Sequence, residues 1–115
     1  MGDHIEGNIM LINEKTGIGI LGAGLMGHGL AQVFAVKGCD VTIYDRDDKT
    51  LSASLDRIRN NLDVFVQLRI VKDDEIEPAL NRIRLSSSLA EMCRDREFII
   101  EAVSEKLSVK RQVFS

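Results

Sequence analysis

Gly17-Ile18-Gly19-Ile20-Leu21-Gly22-Ala23-Gly24-Leu25-Met26-Gly27 is the stretch that decides the fold. Its first five residues are short, apolar and bounded by glycines, the pattern of a buried strand. Gly22, Gly24 and Gly27 then follow the spacing G-x-G-x-x-G, and each has its own physical task. Gly22 permits a tight turn. Gly24 lets the backbone approach a pyrophosphate, where a side chain would collide with it. Gly27 lets the next helix pack closely on the strand. The helix N-terminus offers unpaired N–H groups and a positive dipole end to the phosphates. Glycines at this spacing are a weak signal alone. Between a predicted strand and a predicted helix they become a strong one.

Leu25 to Lys37 reads as a helix whose small residues Gly27, Ala31 and Ala35 share one face and permit close approach to a sheet. Gly38 ends it. Val41 to Tyr44 is β-branched and aromatic, a second strand. Asp45 closes that strand 23 residues after the first glycine, where the dinucleotide fingerprint carries an acid. Its carboxylate can accept both adenosine ribose hydroxyls and would repel a 2′-phosphate, which favours NAD over NADP. Arg46 is open to three roles: a phosphate contact, stacking on adenine, or solvation. The cofactor-binding candidates here are therefore Gly22, Ala23, Gly24, Leu25, Met26, Gly27, Asp45 and Arg46. The bland alternative is a ligand-free glycine turn with Asp45 leading into the next helix. FAD uses the same fingerprint. No G-x-x-x-x-G-K-[ST] occurs, so a P-loop is excluded.

Further along, Asp47 or Asp48 can cap a helix whose Leu51, Leu55, Ile58, Leu62 and Phe65 form one apolar face. A short helix is predicted from about Asp73 to Asn81, starting late or kinking at Pro78. Ile83 to Leu85 is a third strand, Ser88 caps a short helix through Cys93, and Phe98 to Val103 is a fourth strand. Strands alternating with helices imply βαβ units. Right-handed crossovers give the order 3-2-1-4. The fold class is thus α/β: a Rossmann-type parallel sheet flanked by helices, read as an incomplete dinucleotide-binding domain. Lys106 to Ser115 reads as the start of a helix. Residues 1–16 read as an arm with one apolar cluster, Ile9 to Ile12. Residues 17–115 read as the N-terminal part of the dinucleotide-binding domain, with a substrate and dimerisation domain expected outside them.

Composition removes other classes. A net charge of −3 over 115 residues argues against a general nucleic-acid binder, which needs a basic excess. Cys39 and Cys93 make neither a disulfide framework nor a four-ligand zinc site. Neither has a neighbouring His for nucleophilic catalysis. No apolar run reaches the roughly 20 residues of a membrane helix. Asp73-Asp74-Glu75 reads as a solvated helix start rather than a metal site, so no metal is expected.

Residues 22–35, GAGLMGHGLAQVFA, together with Val41-Thr42-Ile43-Tyr44-Asp45, resemble the opening of the 3-hydroxyacyl-CoA dehydrogenases, including the 3-hydroxybutyryl-CoA enzymes. A third block, Ile100-Glu101-Ala102-Val103-Ser104-Glu105-Lys106-Leu107 with Val109-Lys110 and Val113-Phe114, is similar to them as well. The resemblance implies a cytoplasmic, NAD-dependent oxidoreductase of fatty-acid β-oxidation, homodimeric and acting on acyl-CoA. It implies that Ala102, Val103, Glu105 and Lys110 lie near the nicotinamide half of the cofactor. A solvated helix lysine is the other reading of Lys110. Asn61 falls where the family has a coenzyme A contact, or is a polar residue on an exposed face. The family's catalytic His–Glu pair and its Ser and Asn fall outside the resembling segment, so no catalytic residue is expected among these 115. His28 reads as a helix-surface or near-cofactor residue, not the base. The alternatives are a free-standing NAD-responsive module and another hydroxy-acid dehydrogenase of the same fold.

Overall fold

In the computed structural model, residues 16–102 and 107–112 are described. Period-two alternation in the strands sorts their side chains onto two faces. In strand β1 (Gly17–Leu21) and strand β2 (Asp40–Tyr44), Ile18, Ile20, Val41 and Ile43 point to one face and are buried. Phe98 and Ile100 of strand β4 (Phe98–Glu101) extend that face. The same apolar cluster takes in residues of helix α1 (Leu25–Lys37), helix α2 (Asp48–Gln67) and helix α3 (Ile76–Asn81). Ala31 and Ala35 of α1 are fully buried, as their four-residue spacing predicts.

The sheet order is β3-β2-β1-β4-β5, with strand β3 at Ile83–Ser86 and strand β5 at Ser108–Arg111. β1 pairs in parallel with β2 and β4, and β2 with β3, which is the expected 3-2-1-4 order. The opposite face of the sheet receives helix α4 (Leu89–Cys93), and Gly19 is what admits it. A Cβ on Gly19 would lie 2.8 Å from the Met92 carbonyl oxygen and 2.9 Å from Ile99 Cδ1.

Several local expectations are met for the stated reasons. Gly38 takes φ 111°, the left-handed conformation a glycine accepts without penalty, and ends α1. Asp47 caps α2, and Ser88 caps α4 by accepting from Glu91 N–H at 3.2 Å. Pro78 does not kink its helix. A 3₁₀ turn at Asp73–Glu75 comes first and α3 begins at Ile76, so the proline lies in the first turn, where its missing N–H has no intrahelical acceptor to lose.

Two boundaries differ. Thr16, assigned to the arm, is buried, and its carbonyl accepts from Asp40 N–H at 3.1 Å; the rest of the arm lies outside the described residues. The expected helix after Lys106 is instead β5, antiparallel to β4 with Ile100 opposite Val109. The edge of β4 supplies unpaired backbone groups, and pairing with it buries Val109 against Ile100 on the core face. Val113 and Phe114 lie outside the described residues.

Candidate functional site

The site begins where three parallel strands end together. Gly22 N–H donates to Tyr44 carbonyl at 2.7 Å, and Ala102 N–H donates to Leu21 carbonyl at 2.8 Å. These bonds align the C-terminal ends of β1, β2 and β4 into one rim, the edge at which open α/β sheets hold ligands. Gly22 sits at φ 112°, so the turn out of β1 requires glycine. At Gly27 an added Cβ would lie 2.7 Å from the Gly22 carbonyl carbon and closer still to its oxygen. The third glycine is therefore a packing requirement between α1 and the turn.

Gly24 is different. Its backbone is extended (φ −70°, ψ −162°), which any residue adopts, and a Cβ there would meet no heavy atom within 4 Å. It is the N-cap of α1, offers no side-chain cap, and the first turn of α1 holds no acidic residue. The positive end of the helix is thus left open, beside a backbone with free space over it. Leu25, at the first helical position, is 84% exposed. Met26 is half-buried. An anion such as a pyrophosphate can enter this space and receive the helix N–H groups.

Asp45 ties the rim to the turn. One carboxylate oxygen accepts from Ala23 N–H at 2.9 Å and the other from Asp47 N–H at 2.8 Å. A half-buried carboxylate is thereby fixed between the glycine turn and the start of α2. Arg46 beside it is exposed. Asp47 accepts from Lys49 N–H at 3.1 Å and from the Thr50 hydroxyl at 2.9 Å, which holds its carboxyl below the usual range.

The remaining candidate positions divide. Ala102 is buried directly past β4, on the rim. Val103 and Glu105 lie outside the described residues. Lys110 is not on a helix. It lies on edge strand β5 opposite Ile99, exposed, with its ammonium 3.7 Å from a Glu101 carboxylate oxygen. Asn61 is not on an exposed face of α2. Its side-chain amide donates to Gln32 Oε1 of α1 at 2.9 Å, in a half-buried position joining the two helices.

Of the two readings of His28, helix-surface or near-cofactor, the first is overturned. It is 3% exposed rather than on the helix surface. Its Nδ1 lies 2.7 Å from the Gly24 carbonyl oxygen, and since a carbonyl only accepts, Nδ1 carries the proton. The signal for this contact was present in the spacing: His28 follows Gly24 by four residues, one helical turn. Among the described residues no group of three His, Cys, Asp or Glu could hold a metal, and no helix is long and apolar enough to cross a membrane.

Comparison with known proteins agrees with this geometry. Residues 17–115 match the family model described as 3-hydroxyacyl-CoA dehydrogenase, NAD binding domain. A 3-hydroxybutyryl-CoA dehydrogenase of Mycobacterium tuberculosis is 34% identical over 98 residues, covering 85% of this chain and 34% of the relative. A probable 3-hydroxyacyl-CoA dehydrogenase of Caenorhabditis elegans is 30% identical over 109 residues, covering 90% of this chain and 35% of the relative. The crystal structure of (S)-3-hydroxybutyryl-CoA dehydrogenase from Ralstonia eutropha superposes with a TM-score of 0.71 at 31% identity, over 77% of this chain and 31% of that one. The chain thus spans about a third of the length of each.

Proposed function

Because the chain belongs to the family of 3-hydroxyacyl-CoA dehydrogenase NAD-binding domains, we propose that it forms the adenosine and pyrophosphate half of the NAD site of an enzyme interconverting 3-hydroxyacyl-CoA and 3-oxoacyl-CoA. The observation that carries the site assignment is Gly24. Its Cβ position is empty of protein, and it stands at the uncompensated N-terminus of a thirteen-residue helix.

In this reading the residues divide the cofactor between them. Gly22, Ala23 and Gly24 form the floor under the pyrophosphate, with N–H groups from the first turn of α1, Leu25 and Met26 included, directed at it. Gly27 keeps that helix end close to β1. Asp45 receives the adenosine ribose, and its existing bonds to Ala23 and Asp47 hold it ready to do so. Arg46 lies beside the adenine, and the rim at Ala102 leads toward the nicotinamide, the half of the cofactor that the family resemblance also assigns to Val103 and Glu105. Asn61, assigned by the resemblance to coenzyme A, meets Gln32 of α1, and Lys110, assigned to the nicotinamide side, stands on β5 beside Glu101.

NAD, when bound, supplies the hydride acceptor for oxidation of a 3-hydroxyl. This chain's residues hold and orient the dinucleotide. The base that takes the hydroxyl proton is implied by the family resemblance to be a His paired with a Glu, outside the matched segment. The 115-residue chain is therefore expected to bind NADH without turning over acetoacetyl-CoA. A protein carrying this sequence together with a substrate domain is expected to oxidise NADH with acetoacetyl-CoA and not with 2-oxo acids. Following NADH absorbance across a panel of oxo substrates tests this. Preference for a 2-oxo acid would replace the acyl-CoA assignment with another dehydrogenase of the same fold.

A further inference from the structure

We propose that His28 is a positioning residue for the cofactor's pyrophosphate, holding the Gly24 carbonyl so that the adjoining Leu25 N–H is aimed and strengthened as a phosphate donor. This rests on the NAD reading of the glycine turn and goes beyond it, since His28 belongs to none of the glycine or acid positions of the fingerprint.

The geometry carries the assignment. The Gly24 oxygen receives two hydrogen bonds from one residue, from His28 backbone N–H at 2.9 Å and from His28 Nδ1–H at 2.7 Å. The backbone bond alone already completes the first helical hydrogen bond of α1, so the imidazole bond is not needed to satisfy the carbonyl. It does fix the peptide plane. The peptide between Gly24 and Leu25 is trans, so its C=O and N–H point in opposite directions.

With the oxygen held down the helix, the Leu25 N–H points out of the first turn. That is where the space over Gly24 lies open and where Leu25 itself stands in solvent. A second donor on the oxygen also draws charge toward it and makes the opposite N–H of the same peptide a stronger donor. Burying an imidazole where an apolar side chain could pack is costly unless its polar atoms are used, and here the use is directed at the peptide that faces the ligand.

The test compares the native protein with His28→Leu, which removes the donor at similar volume, and His28→Asn, which restores an N–H on the same Cγ position. NADH binding is read by fluorescence, and adenosine, which lacks phosphate, by competition against bound NADH. Circular dichroism establishes that each variant is folded. The expected result is an NADH dissociation constant about five- to tenfold higher for His28→Leu and within about twofold of native for His28→Asn. Adenosine affinity is expected to stay unchanged in all three. Should His28→Leu fail to fold, His28→Ala provides the donor-free comparison with the same expectation.

Unchanged NADH binding without the donor would overturn the proposal, as would failure of His28→Asn to restore it. A parallel loss of adenosine would overturn it too, because it would mean general collapse of the turn. Absence of NADH binding by the native protein would overturn the cofactor reading, and this proposal with it.

Discussion

Gly27→Ala and Gly29→Ala place the same methyl group two residues apart on one helix, and opposite outcomes are expected. At Gly27 the new Cβ would lie 2.7 Å from the Gly22 carbonyl carbon. Restoring a normal carbon–carbon separation of about 3.5 Å requires ~0.8 Å of movement, and more for the nearer oxygen. Neither partner can rotate away, because both are backbone. The turn cannot yield either, since Gly22 is held at φ 112° with its N–H bonded to Tyr44 at 2.7 Å. Helix α1 must therefore lift from β1, loosening Ala31 and Ala35, which are fully buried beneath it.

Overpacking of flexible side chains costs roughly 1–3 kcal/mol, so a rigid backbone clash belongs at or above about 3 kcal/mol. For a domain of this size that corresponds to a melting temperature lower by about 12 °C or more. At Gly29 a Cβ meets nothing within 4 Å. Alanine there removes only the entropic penalty of a helical glycine, and a gain of about 0.5–1 kcal/mol is expected. Thermal and urea melts followed by circular dichroism measure both. A loss below about 1 kcal/mol for Gly27→Ala would refute the argument that backbone contact, rather than ligand approach, demands the third glycine.

Gly24→Ala is expected to cost less than about 1 kcal/mol of stability, since its conformation suits any residue and only the N-cap preference changes. It is expected to weaken NADH binding at least about tenfold in a fluorescence titration, by filling the space a phosphate would use. Asp47→Ala should lower the melting temperature at neutral pH. Because the Asp47 carboxyl is held below its usual range by Thr50 and Lys49, its contribution is present above roughly pH 4 and lost as pH falls through the lowered value, so native and variant melts should converge in acid. Burial pushes the Cys39 thiol up, with Lys37 partly opposing. Folding stability should accordingly fall above roughly pH 9, where the unfolded thiol ionises first, and Cys39→Ala should remove that part of the decline.

The legible parts of this molecule are those whose cause is local. The β1–turn–α1–β2 unit is written in Gly22, Gly24, Gly27 and Gly38, each tied to a turn, a contact or a cap within a few residues. The apolar face of α2 is equally local, because Leu51, Ile58 and Leu62 follow helical periodicity and are all buried. What escaped depends on partners distant in sequence. β5 exists because the edge of β4 is available, and nothing within Ser108–Arg111 announces that pairing. Asn61 is engaged by Gln32, 29 positions away. Gly19 reads as one more strand glycine until α4 folds over it. His28 is the intermediate case: its partner is one helical turn away, but its burial depends on how α1 packs.

In the proposed function, the rim formed by the glycine turn, α1 and Asp45 holds NAD. Its most direct test is calorimetric titration of the folded protein with NADH and NADPH in parallel. Saturable binding at one site is predicted for NADH. Weaker binding is predicted for NADPH, because an Asp45 carboxylate that receives the ribose, as proposed, would repel a 2′-phosphate. A folded protein that binds neither, or that prefers NADPH, would contradict the NAD assignment.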